Sequence, residues 1–178
     1  MQTSSYTRSK LRGGFTLIEV LTVIAIIAVL ATMSVTGFQW YQRKAKIGRA
    51  QVFLKSVERA LEEYRTDTGV FPQGNGNSGS TSEVYEALYG DSDGDGKTDD
   101  GASALLSTLD PNLPRKQQNV REEGGTYVMV DPWGEEYLYQ SPGVMNTADF
   151  DLWSKGPDGE GGPNQGTEKE RSDDIDNW

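Results

Sequence analysis

An apolar run from Phe15 to Val35 constrains this chain more than any other stretch. It reads FTLIEVLTVIAIIAVLATMSV, contains no Pro or Gly, and follows a basic leader that ends in Gly13-Gly14. About 20 apolar residues make a helix about 30 Å long, enough to cross the hydrocarbon of a bilayer. Thr16, Thr22, Thr32 and Ser34 are compatible with such a helix, because their hydroxyls can return to its backbone. Glu19 is the anomaly. A carboxylate inside hydrocarbon costs about 2.5–3.5 kcal/mol, so it needs an interfacial position or a positive partner.

The leader, residues 1–14, is polar and carries Arg8, Lys10 and Arg12 without a single acid. A secretory signal places its apolar core ahead of the cleavage site. Here the glycine pair precedes the apolar run, so a cut after Gly14 leaves the anchor attached to the product. The basic leader favours a cytoplasmic N-terminal side, although Arg43, Lys44, Lys46 and Arg49 follow the span and weaken the charge asymmetry.

Residues 15–37 are therefore read as the transmembrane half of a long helix and 38–68 as its amphipathic half. Ala50, Leu54, Val57, Leu61 and Tyr64 recur at spacings of four and three, which predicts one apolar face. Gly69 followed by Pro72 ends the helix. Residues 69–125 form a variable region. It opens with the Gly/Asn/Ser loop QGNGNSGST, and short helices are expected at Val84 to Tyr89 and Ala102 to Leu109. Residues 126–178 read as antiparallel strands: Thr126 to Val130, a turn at Asp131-Pro132-Trp133-Gly134, a return strand Glu136 to Gln140, and Phe150 to Ser154. The expected class is α+β, a long N-terminal helix packed on a small antiparallel sheet, with Trp133 and Trp178 as core or loop anchors.

The chain has no Cys and no His, and a formal charge of −10. No disulfide can staple the domain, and the commonest general base and transition-metal ligand are both missing. No nucleophile–base pair can be assembled, so an enzyme is not expected. The acidic excess lies mostly after Asp91; it repels nucleic acid and suits divalent cations. Within it, Asp91, Asp93 and Asp95 followed by Gly96, with Asp99 at the ninth place, match the start of an EF-type calcium loop. The twelfth place is Ala102, so the bidentate Glu of a complete loop is missing.

Gly14-Phe15-Thr16-Leu17-Ile18-Glu19 resembles the processing site of type IV pilins and type II secretion pseudopilins. Asp131-Pro132-Trp133-Gly134, Ser154-Lys155-Gly156-Pro157-Asp158-Gly159 and the Asp173-Asp174-Ile175-Asp176-Asn177-Trp178 end resemble the major (G-type) pseudopilins. The resemblance implies that a prepilin peptidase cuts between Gly14 and Phe15 and methylates the new amine of Phe15. It implies that this amine, on a neighbouring subunit, neutralises Glu19 during assembly. It also implies a calcium ion (Ca2+) in the C-terminal loop, held by Asp158, Asp173 and Asp174 with main-chain carbonyls of Lys155 and Glu160, and with Ser172 as a helper. Asp176 stands where the family usually has Gly, and the loop is longer than usual.

The expected function is a major pseudopilin, a structural subunit of a periplasmic filament that pushes folded proteins across the outer membrane. Its implied partners are its own copies (a homopolymer), minor pseudopilins, the peptidase, an inner-membrane assembly platform and the secreted proteins. Its implied place is the inner membrane, single-pass, with the head in the periplasm. The alternatives are a type IV pilus subunit and a membrane-tethered calcium-binding enzyme.

Overall fold

Helix α1 runs from Leu17 to Thr68, and its two ends do different work. The computed structural model of the chain describes residues 14–163 and 166–178, the side chains of 33–37 excepted. Most of the leader, residues 1–13, lies outside the described residues. The chain divides into two units, Met1–Gln42 and Arg43–Trp178.

In the first unit every Leu, Ile and Val from Leu17 to Leu30 is at least half exposed, and Phe15 is 88% exposed. A helix apolar on all sides is stable only when lipid or protein surrounds it. Its start is closed by a reciprocal capping box. Thr16 Oγ1 accepts the Glu19 N–H at 3.3 Å, and a Glu19 carboxylate oxygen accepts the Thr16 N–H at 2.9 Å and its hydroxyl at 2.8 Å. Among the described residues no helix is long and apolar enough to cross a membrane. The expected span continues into 33–37, whose side chains lie outside the described set.

In the second unit the helix buries the face its spacing predicts. Ala50, Leu54, Val57 and Leu61 are 4% exposed or less, and Tyr64 packs partly buried beside them. Phe53 and Ala60 widen the stripe. Burial of each large aliphatic side chain is worth about 1.5–3 kcal/mol relative to exposure, so this face holds the helix to the sheet. Opposite it stand Tyr137, Tyr139, Phe150 and Leu152, and the Tyr137 hydroxyl donates to the Ala50 carbonyl at 3.3 Å.

The sheet has four strands, β1 (Gly74–Asn75), β4 (Leu138–Ser141), β5 (Asp151–Ser154) and β6 (Ile175–Asp176), hydrogen-bonded in that order and antiparallel throughout. A separate hairpin joins β2 (Val120–Glu123) to β3 (Thr126–Met129). Helix α2 (Ser82–Tyr89) buries Val84, Tyr85, Leu88 and Tyr89.

Three sequence expectations are corrected here. Thr126 to Val130 was expected to pair across the Asp131 turn with Glu136 to Gln140, but only the bridge Val130↔Glu136 joins them. Strand β3 instead pairs backward with β2. The Glu123↔Thr126 register leaves Gly124-Gly125 as a two-residue loop with φ of 65° and 89°, the doubly positive geometry that tight hairpins favour and glycine supplies. Ala102 to Leu109 was expected to be helical, but only Ser107–Leu109 forms a 3-10 turn. The Leu106 N–H donates to the Leu88 carbonyl at 3.1 Å, so it is spent on α2 rather than on a helix of its own. Trp178, expected as an anchor, is 40% exposed, although it meets the buried Trp153 edge-on with ring centroids 6.1 Å apart.

Candidate functional sites

The processing position is accessible. Gly14 and Phe15 precede α1 and are exposed. Four residues beyond Phe15, the Glu19 carboxylate is tied to Thr16 by the capping box, at the helix end whose dipole favours negative charge.

The C-terminal loop is positioned by the sheet. Strand β5 delivers Ser154 to the edge of the loop, and β6 returns immediately after Asp174, with Ser154 opposite Ile175. The link between this loop and the Asp131 turn is a side-chain contact that sequence reading missed. Ser154 Oγ donates to Asp131 Oδ2 at 2.6 Å and accepts the Gly156 N–H at 3.1 Å. Asp131 Oδ1 meanwhile accepts the N–H groups of Trp133, Gly134 and Glu135. Asn177 completes the frame, accepting the Leu152 N–H and donating to the Phe150 carbonyl.

Asp158, Asp173 and Asp174 all come to this loop. Burial, then the negative charge of Asp158, raises the Asp173 carboxyl above its ordinary range, against the pull of Arg43, whose guanidinium lies 3.7 Å away. Burial pushes Asp174 up to about 6; the Gly162 N–H opposes this, and the charges of Asp176, Asp173 and Asp158 add to it. Acids held together at a shared cost are a recognised signature of a functional site. Asp174 Oδ1 is buried and has no hydrogen-bond partner among the described residues. An oxygen with free lone pairs among mutually repelling carboxylates fits a hard divalent cation, which takes carboxylate and carbonyl oxygens. The oxygens of the three acids do not converge as tightly as those of the Asp91 loop. Of the remaining expected ligands, Glu160 uses its N–H on Asp158 Oδ1 at 2.9 Å, and Ser172 Oγ donates to the Lys169 carbonyl at 2.6 Å. Lys155 lies half-buried between Ser154 and Gly156.

The Asp91 loop is organised differently. Asp91, Asp93 and Asp99 bring carboxylate oxygens within 4.8 Å of one another. Asp95 does not join them, because Lys97 Nζ holds it at 3.0 Å. Asp91 is fully buried, and both its oxygens are in use. Oδ1 accepts the Gly94 and Asp95 N–H groups, and Oδ2 accepts the Gly96 N–H and the Tyr85 hydroxyl. Tyr85 is correspondingly held far above its ordinary pKa, by burial first and by Asp91 second. The loop therefore closes on its own hydrogen bonds.

A third buried acid, Asp151, was also not singled out from sequence. It accepts the N–H groups of Val144, Met145 and Asn146. Its only sequence signal was an Asp inside an otherwise buried strand, FDLWS.

Comparison with known proteins adds to this geometry. Residues 91–178 match the family described as Type II secretion system (T2SS), protein G, and residues 9–35 match the Prokaryotic N-terminal methylation motif. The "Type II secretion system core protein G" of Escherichia coli (strain K12) is 33% identical over 168 residues, 93% of this chain and 90% of that protein. The protein of the same description from Vibrio cholerae is 32% identical over 169 residues, again 93% and 90%. A crystal structure of the major pseudopilin from the type 2 secretion system of enterohaemorrhagic Escherichia coli is 25% identical, covering 78% of this chain and 87% of that one. Its TM-score of 0.40 is too low to carry weight.

Proposed function

The chain belongs to the type II secretion system protein G family, and from that premise we propose that its apolar helix end is first a membrane anchor and then the buried seam of a filament. It is a structural subunit of the secretion pseudopilus and not an enzyme, so the type IV pilus and calcium-enzyme readings are set aside. The protein is associated with the cell envelope. The finer placement proposed here is a single pass through the inner membrane with the head in the periplasm.

One observation carries the proposal. Among the described residues, the helix from Leu17 to Val29 exposes apolar side chains on every side. Lipid covers such a surface before assembly, and copies of the same helix cover it afterwards. Glu19 makes the transfer specific. A prepilin peptidase cutting between the exposed Gly14 and Phe15, with methylation of Phe15, creates a positive amine next to the Thr16–Glu19 cap. On packing, the amine of one subunit neutralises the Glu19 carboxylate of its neighbour and sets the register between them. The remaining partners are minor pseudopilins, an inner-membrane platform and secreted proteins.

The second part of the proposal is a calcium ion in the C-terminal loop, held by Asp158, Asp173 and Asp174 with carbonyls of Lys155 and Glu160. Bound there, it supplies the cross-link that a Cys-free domain cannot make with disulfides. The unpartnered Asp174 oxygen and the mutual repulsion of the three acids support this reading.

The processing step is tested by Gly14→Val in the full chain, expressed with a secretion machinery and read by mass spectrometry and filament imaging. The expected result is a chain that retains residues 1–14, stays in the membrane and forms no filaments. Filaments built from uncleaved chain would contradict the proposal.

A further inference from the structure

Trp153 is 1% exposed on β5, and its indole Nε1 has no hydrogen-bond partner among the described residues. Leaving a buried donor unmade costs about 1–3 kcal/mol, so an orphaned indole N–H in the middle of a sheet calls for a purpose. Among the described residues, Asp174 Oδ1 is the other buried polar side-chain atom in that position. One is a donor and the other belongs to an acceptor, and Gly162 borders both side chains. Gly162 donates to Asp174 Oδ2 at 2.9 Å. A Cβ on Gly162 would stand 2.8 Å from Trp153 Nε1, and one on Gly161 would stand 2.5 Å from Asp174 Oδ1. Only a chain without side chains at 161 and 162, with φ of 121° and 117°, packs this closely against the two side chains.

We propose that Trp153 is a positioning residue of the cation site: in the cation-bound loop its indole N–H donates to Asp174 Oδ1 and fixes the carboxylate that holds the ion. This rests on the calcium reading above and names a residue that serves it without touching the ion. An N–H is a donor only and cannot ligate a cation. A carboxylate oxygen has two lone pairs, so Oδ1 accepts the indole hydrogen and still offers the other pair to the ion. Donors behind ligating groups orient them, and their loss typically weakens metal affinity by about 10–100-fold. Strand β5 is well placed for this role. It leads through Ser154 into the loop, so Trp153 couples the loop to the sheet.

The experiment uses the full chain in detergent, with 15N-labelled tryptophan and calcium as the titrant. Each of the four Trp residues contributes one indole N–H resonance, assigned from single Trp→Phe variants. The Trp153 resonance is expected to move downfield on calcium binding and to become protected from solvent exchange. Trp153→Phe should weaken calcium binding by about 10-fold or more, whereas Trp178→Phe, which keeps the indole N–H at position 153, should leave it near wild type. If Trp153→Phe does not fold, assignment by elimination from the other three variants still reads the resonance in the wild-type chain. Calcium binding with an unmoved Trp153 resonance overturns this inference alone. The absence of any saturable calcium response in the wild type overturns the calcium reading as well.

Discussion

Three buried aspartates hold the second unit together in the same way. Asp91, Asp131 and Asp151 are each 5% exposed or less, and each accepts three backbone N–H groups from the turn that follows or precedes it. A carboxylate is suited to this because it is a strong acceptor at two oxygens, and bonds to charged groups contribute about 1.5–3 kcal/mol each against about 1 for neutral ones. With no Cys available, these acids do the local stapling. Asp131 also reaches Ser154 across the sheet, so Asp131→Ala strands donors in two elements. It is expected to lower stability by about 3 kcal/mol in urea unfolding of the full chain in detergent. Asp131→Asn, which keeps an acceptor for the N–H groups, should lose about 1 kcal/mol. An unchanged midpoint in the alanine variant would contradict the stapling role.

At the scale of elements, legibility followed periodicity and failed where contacts are long-range. The Ala50, Leu54, Val57, Leu61 stripe was readable because 3.6-residue spacing alone selects the buried face, and the packed core agrees with it. Helix α2 was readable for the same reason. Strands β1 and β6 are two residues each, too short for alternation to register. Strand β2 reads Val-Arg-Glu-Glu with one buried residue, so its pattern is polar and no alternation marks it. The hairpin expected across the Asp131 turn failed because the turn itself formed, with the Gly134 N–H on the Asp131 carbonyl at 3.0 Å, while the flanking strands left for different sheets. The candidate sites divide similarly. The acids of the C-terminal loop were legible as a motif, and Asp95 looked equivalent to its neighbours until Lys97 was seen to claim it. The roles of Trp153, Ser154 and Asp151 depend on neighbours far away in sequence, which no local pattern encodes.

At the scale of the whole molecule, the cost stored in the C-terminal loop predicts a pH response. Asp174 has its carboxyl raised to about 6 from an ordinary 3.8. A raised acid binds more protons in the folded state than in the unfolded one, so its stabilising effect is complete below 3.8 and is lost as pH rises through about 6. In EDTA, the thermal unfolding midpoint of the full chain in detergent should therefore rise as pH is lowered from 7 to 5. Calcium should reverse the trend, because it binds the ionised form and adds about 2.7 kcal/mol at a concentration 100 times its Kd. Identical melting in EDTA and in calcium at pH 7 would remove the staple from the account.

What covers the exposed apolar helix, and what Glu19 does there, decides whether the subunit assembles. In the folded subunit Glu19 serves the Thr16 cap; the proposal gives it a second partner in the filament, the Phe15 amine of a neighbour. The most direct measurement is filament yield from Glu19→Ala, with cleavage after Gly14 followed by mass spectrometry in the same cells. The expected result is a chain that is cleaved and membrane-held but fails to polymerise. Filaments formed at wild-type yield by the cleaved variant would contradict it.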